Sequence, residues 1–251
     1  MGAGLPFQQH DLPNVLDQPT LRLEVIEMVP DPSTETGPAA GVVTREAFDQ
    51  DSWERRWTQA LREHADVVAT RPPNTHLLAV AGDLSPGLAL DAGCGHGAET
   101  LWLAAHGWRV TAVDFAVTAL DHARSNAEAI GTDVAERVDW IQGDLATWTP
   151  PSGRYDLVTC LYVHMAGGVD ETVRRLAAGV TPGGTLLLVG HQPTDPTTGN
   201  ATAAAGQVQI SVNTALAALD PNEWEIVAAE DRPRATAGTG VDAVVHARRL
   251  P

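Results

Sequence analysis

From Leu88 onward, short apolar runs alternate with helix-forming ones, and no other feature restricts the fold as much. LALDAG, RVTAVDF, RVDWIQGDL, YDLVTCLYVH and TLLLVGH read as strands. Between them lie AETLWLAAHG, TALDHARSNAEAIG and DETVRRLAAGV, whose apolar residues recur at helical spacing; TPGG, ahead of the last strand, reads as a tight turn. Strands separated by helices imply a parallel sheet covered on both faces, with right-handed crossovers. After a helical SVNTALAALD, the runs EWEIVAAED and VDAVVHARRL read as strands joined by RPRATAGTG, a link suited to a hairpin. The expected fold is α/β: a doubly wound, Rossmann-like, mostly parallel seven-stranded sheet with an antiparallel C-terminal strand hairpin.

Upstream, DSWERRWTQALREHADVVA (residues 51–69) has a helical period, with Trp53, Trp57, Ala60, Leu61, His64 and Val68 on one face, and RPPN then breaks it. Residues 1–50 read as an N-terminal extension, a flexible arm or a cap, with one strand-like segment at Thr20–Val29. Residues 51–251 read as a single domain.

Composition narrows the partners. The formal charge is −16, and all 16 basic residues are arginine. Nucleic-acid binding draws most of its affinity from basic residues on phosphates, so no nucleic-acid partner is expected. Cys94 and Cys160 form no C-x-x-C pair, which fits neither a disulfide framework nor a zinc site and suits a reducing compartment. The N-terminal stretch shows no basic start followed by an apolar run, and no segment approaches the roughly 20 apolar residues that span a bilayer. A cytoplasmic protein with no membrane partner is expected.

In LDAGCGHGAET, Gly93, Gly95 and Gly97 follow a strand and open a helix, where an open parallel sheet binds its ligand. Glycines there let the backbone approach a ligand closely. A nucleoside triphosphate site is excluded because no G-K-[ST] follows. A dinucleotide pattern can be forced through Gly93, Gly95 and Ala98, but Asp91 just before the turn would repel a pyrophosphate. An ammonium or sulfonium would be attracted instead. Asp114, ending AVDF, can accept from two ribose hydroxyls while Phe115 lies against an adenine. Asp144, ending QGDL, can accept from the adenine amino group while Leu145 covers the ring. Cys94 can meet the ligand through its backbone. Three acidic strand ends in succession suit S-adenosylmethionine, which is cationic and carries no phosphate.

LALDAGCGHG, VTAVDF, WIQGDL, YDLVTCLYVH and VTPGGTLLLVGH together resemble the successive motifs of class I S-adenosylmethionine-dependent methyltransferases, over about residues 50–250. The chain is most similar to the small-molecule enzymes of the tellurite-resistance and thiopurine-methyltransferase-like kind, in which a segment like WERRW…RPPN precedes the glycine motif. That resemblance implies Asp91, Gly93, Gly95, Asp114, Asp144 and Leu161 as cofactor contacts, and Arg56 as a partner for the cofactor carboxylate. It implies methyl transfer to a small-molecule S, N or O nucleophile.

His164 and His191 fall at the carboxyl ends of strands beside the expected methyl group. Either could take the acceptor's proton or simply hydrogen-bond a loop. Trp53 and Trp57, one turn apart, cover the acceptor or pack in the core. No metal-ligand spacing links the histidines, and no metal is expected. Two other readings stay open: an NAD(P)-dependent oxidoreductase, and a cofactor-binding protein without catalytic activity.

Overall fold

The computed structural model describes residues 49–165, 168–194, 199, 201, 208–234 and 240–251. The strand-like segment Thr20–Val29 and nearly all of the N-terminal extension lie outside the described residues. The sheet is seven-stranded, in the order β3-β2-β1-β4-β5-β7-β6. Its strands are β1 (Leu88–Ala92), β2 (Arg109–Asp114), β3 (Val138–Gln142), β4 (Tyr155–Leu161), β5 (Val180–His191), β6 (Trp224–Pro233) and β7 (Val241–Arg249). Pairings from β3 through β5 are parallel, and β7 runs antiparallel to both β5 and β6.

Successive side chains on a strand point to opposite faces, and here both faces are covered. Leu90, Ala92, Val158, Cys160, Leu186 and Leu188 join one core cluster, while Ala89, Leu157, Leu187 and Val189 join the other. The first face is closed by α6 (Val169–Ala178) and α7 (Val212–Ala218) through Val173, Leu176 and Ala215. The second is closed by α2 (Thr75–Ala81), α3 (Ala98–Ala105) and α4 (Val117–Ile130) through Leu77, Leu103, Leu120 and Ala127. Burying each of these leucines contributes about 1.5–3 kcal/mol.

α1 (Gln50–Ala69) begins where Asp49 accepts from the Ser52 backbone at 2.8 Å. It packs by its first half. Trp57 is buried, but His64, expected on the same face, is exposed because the helix kinks there (φ −143°, ψ 35°). Other differences are local. TPGG lies inside β5 instead of preceding it, with Gly183 at φ 79°. The short helices α2 and α5 (Thr132–Ala135) were not legible as periodic segments. β3 ends at Gln142, so Asp144 is not a strand end; its Oδ1 accepts from Ala146 N at 2.8 Å and closes a turn beyond the strand. Among the described residues no helix is long and apolar enough to cross a membrane.

Candidate active site

The glycine turn leaves β1 with Gly93, Gly95 and Gly97 all at positive φ (80°, 51° and 86°). The N–H groups of Gly93 and Cys94 both donate to the Val113 carbonyl on β2, at 2.8 and 3.1 Å, and Gly97 N donates to the Cys94 carbonyl at 2.9 Å. A side chain at Gly93 would collide with Val163, and one at Gly95 would meet Trp57. The turn is therefore wrapped by its own backbone bonds on one side and by α1 on the other. Cys94 is buried; its thiol is pushed well above the ordinary range by burial and by the charges of Asp114 and Asp91.

Asp114, the last residue of β2, ties the turn to its neighbour. Its Oδ2 accepts from Gly95 N at 2.9 Å and its Oδ1 from Ala116 N at 2.9 Å. Burial still outweighs these donations and pushes its carboxyl up to about 6. Asp91 lies beneath the turn rather than on it. It is 2% exposed, and its oxygens accept from Thr100 Oγ1 at 2.6 Å and Thr159 Oγ1 at 3.0 Å. Burial raises its carboxyl too. Phe115 and Leu145 are half-buried, and Leu161 ends β4. Asp144 is exposed.

α1 docks on these strand ends. Glu54 Oε1 accepts from Val117 N and Oε2 from Thr118 N at 3.1 Å, so α1 caps α4, whose own N-cap, Ala116, has no side chain to do it. Gln50 Nε2 donates to the Phe115 carbonyl at 3.0 Å. The helix thereby brings three side chains over the carboxyl edge: Trp57 beside His96, Arg56 over the Trp53 ring at 5.0 Å, and Trp53 stacked on His164 at 5.2 Å. His96 Nε2 is buried and finds no hydrogen-bond partner among the described residues.

The two histidines at the next strand ends come together, with ring centroids 6.5 Å apart. Burial, then the charges of His191 and Arg56, pull His164 down to about 4, so it is neutral at pH 7. His191 has company that sequence reading missed. Tyr162 stacks on it at 4.1 Å, and Asp242, Arg234 and His76 converge on the same point. Glu99 was missed as well: it accepts from Asn74 N at 3.0 Å, and burial and the neighbouring Asp91 push its carboxyl up. A glutamate just after G-H-G-A was the available signal for Glu99. No local signal existed for Asp242 or Arg234.

Residues 89–184 match a family model described as a methyltransferase domain. The chain is 31% identical over 138 residues to trans-aconitate 2-methyltransferase of Paracidovorax citrulli, covering 53% of this chain and 49% of that protein. It is 34% identical over 113 residues to ribosomal RNA small subunit methyltransferase C of Alcanivorax borkumensis, covering 43% and 33% respectively. The chain thus spans about half or less of the length of these curated relatives. Among solved structures, the 1,6-didemethyltoxoflavin-N1-methyltransferase of Burkholderia thailandensis has the same fold, with a TM-score of 0.60, 22% identity, and coverage of 86% of this chain and 93% of that one. By the methyltransferase-domain match over residues 89–184 and by this strand order, the chain is similar to S-adenosylmethionine-dependent methyltransferases and shares their fold.

Proposed function

We propose that this chain binds S-adenosylmethionine over the glycine turn and transfers its methyl group to a small-molecule acceptor held between α1 and the ends of β4 and β5. The observation that carries the reading is the bond from Gly95 N to Asp114 Oδ2. It aims a buried carboxylate at the turn while each oxygen keeps a lone pair for a ribose hydroxyl. The donor set fits this cofactor: carboxylates at Asp91 and Asp114, no lysine, and the buried His96 Nε2 unpartnered beside the turn. Gly93, Cys94 and Gly95 would offer backbone to it, Phe115 and Leu145 would flank its adenine, and Asp144 would accept from the adenine amino group. Leu161 and Arg56 would meet its amino-acid end. Asp91 would act from below by its charge.

When bound, the cofactor supplies an electrophilic methyl group, and the broken bond's electron pair stays on its sulfur. The protein's own task is to align the acceptor, keep water out and receive a proton. Alignment alone can contribute up to roughly 7–11 kcal/mol. Trp53, Trp57 and the neutral His164 form the acceptor wall, and His191 takes the proton of an N–H, O–H or S–H nucleophile.

The net charge of −16 supports a compact acceptor over a polyanion, whose approach it opposes. Methyl transfer from labelled cofactor to thiols, phenols, heterocycles and small acids, run beside ribosomal and transfer RNA, tests the reading. Turnover on a small acceptor is expected. Turnover confined to RNA would overturn the acceptor class, and no cofactor binding at all would overturn the whole proposal.

A further inference from the structure

We propose that Arg175 is a positioning residue for the adenine end of the site: by holding the Leu145 carbonyl it orients the peptide unit between Leu145 and Ala146, and through that unit both Leu145 and Asp144. This role rests on the S-adenosylmethionine reading above.

Arg175 lies in the last turn of α6, and its side chain is 19% exposed. Its neighbour Arg174 is exposed and pairs along the helix with Asp170 at 2.9 Å. Arg175 reaches out of the helix instead. Its Nη2 donates to the Leu145 carbonyl at 2.8 Å, 30 residues away in sequence, and to Thr172 Oγ1 at 2.9 Å. That nitrogen carries two hydrogens, so both are engaged. Nη1 meets Glu171 Oε1 at 3.1 Å, but Glu171 is 71% exposed and such a pair contributes little. Nε is buried and finds no hydrogen-bond partner among the described residues, which is unfavourable. The two bonds of Nη2 therefore set the orientation of the guanidinium.

The Leu145 carbonyl is one half of a rigid unit. A trans peptide is planar, so its C=O and the following N–H point in opposite directions. The N–H of this unit belongs to Ala146 and donates to Asp144 Oδ1 at 2.8 Å. One plane is thus held at both edges, by Arg175 on the oxygen and by Asp144 on the nitrogen. Around it, Thr147 N and Trp148 N donate to the Asp144 carbonyl at 2.9 and 2.6 Å, and Gly143 N donates to the Asp114 carbonyl at 2.9 Å. These bonds secure the backbone on either side of Leu145, and none of them holds its carbonyl.

Turning this plane moves two groups at once. Asp144 is exposed, and the bond from Ala146 N to its Oδ1 leaves Oδ2 as the acceptor for the adenine amino group. Leu145 reaches the glycine turn: its Cδ1 lies 3.6 Å from the point that a Cβ on Gly93 would occupy. It also packs against the core cluster that contains Leu176, the residue after Arg175. The carboxylate that would read the amino group and the side chain that would cover the ring are adjacent residues, and one bond from α6 sets both.

The test is calorimetric titration of the full chain with S-adenosylhomocysteine and with the analogue whose adenine amino group is replaced by hydrogen. The readout is the ratio of the two Kd values. The wild-type chain should prefer S-adenosylhomocysteine by about tenfold, the scale of one hydrogen bond to a carboxylate. In Arg175→Met, which keeps the apolar stem, the ratio should fall to about two- to threefold as that bond loses its alignment, with the loss falling mainly on S-adenosylhomocysteine. Arg175→Lys should lie between, and Arg174→Met and Glu171→Gln should keep the wild-type ratio. An unchanged ratio in Arg175→Met, even with both ligands weakened, would mark a purely structural arginine and overturn the proposal. If that variant does not fold, an unchanged ratio in Arg175→Lys overturns it. A wild-type ratio near one would overturn it too. No binding of S-adenosylhomocysteine by the wild-type chain would overturn the functional reading, and the role of Arg175 with it, whereas binding with a ratio indifferent to Arg175 would leave that reading standing.

Discussion

Gly95 N donates to Asp114 Oδ2 at 2.9 Å, joining the glycine turn after β1 to the end of β2. The same carboxylate is the acceptor proposed for the ribose. Asp114→Ala therefore removes two functions at once. Loss of charge-assisted bonds at about 1.5–3 kcal/mol corresponds to a 10- to 150-fold weaker affinity for S-adenosylhomocysteine by calorimetry. Asp114→Asn, which keeps one acceptor oxygen, should fall between.

Affinity should also depend on pH through this residue. Burial raises Asp114 to about 6. Hydroxyl donors favour the ionised form, so binding is strongest above that value. As pH falls below about 6 the carboxyl protonates and Kd should rise, by at most about tenfold per pH unit. Asp114→Asn should flatten this limb in a calorimetric pH series.

Glu54 reaches from α1 to the first N–H groups of α4, 63 and 64 residues away in sequence. Glu54→Ala leaves those donors uncapped and should lower stability by about 1 kcal/mol in urea denaturation. Because α1 also carries Trp53 and Arg56, cofactor affinity should fall as well. Unchanged affinity in a folded Glu54→Ala would mean that α1 only packs.

Gly95 combines φ 51° with a close neighbour: an added Cβ would lie 3.0 Å from Trp57 Cζ2. Gly95→Ala should cost about 1 kcal/mol or more. Trp57→Phe in the same chain removes the clashing ring atoms but leaves the backbone strain. The double mutant should recover only the steric part, which a double-mutant cycle isolates.

Asp242 contributes to stability against acid. Burial raises its carboxyl, but the hydrogen bonds from His191 and His76, the charge of Arg234 and the Tyr162 hydroxyl outweigh it and hold it well below the usual carboxylate range. A carboxyl depressed on folding stabilises the native state above its unfolded pKa, near 3.9, and that stability is lost as pH falls through the folded value. The Asp242 contribution should fade below about pH 4, and the Asp242→Asn chain, less stable at neutral pH, should show a shallower limb there in a denaturation series.

The parts legible in the sequence were those encoded locally. The glycine turn and the acids at Asp91 and Asp114 lie within a few residues of strands whose apolar runs mark them. Asp91 was placed correctly along the chain but not in depth. Its burial depends on Thr100 and Thr159, and the second lies 68 residues away. Asp144 was misplaced by two residues because a turn closed by its own side chain resembles a strand end. The polar group around His191 was not legible: Tyr162 and Asp242 are 80 residues apart, and only the antiparallel pairing of β5 with β7 brings them together.

The proposed function stands on the glycine turn and Asp114 holding S-adenosylmethionine. Calorimetric titration of the full chain with S-adenosylhomocysteine, and separately with NADH, tests it most directly. Saturable one-to-one binding of S-adenosylhomocysteine, weakened at least about tenfold by Asp114→Ala, and no binding of NADH are expected. Binding of NADH in place of S-adenosylhomocysteine, or S-adenosylhomocysteine affinity indifferent to Asp114, would contradict it.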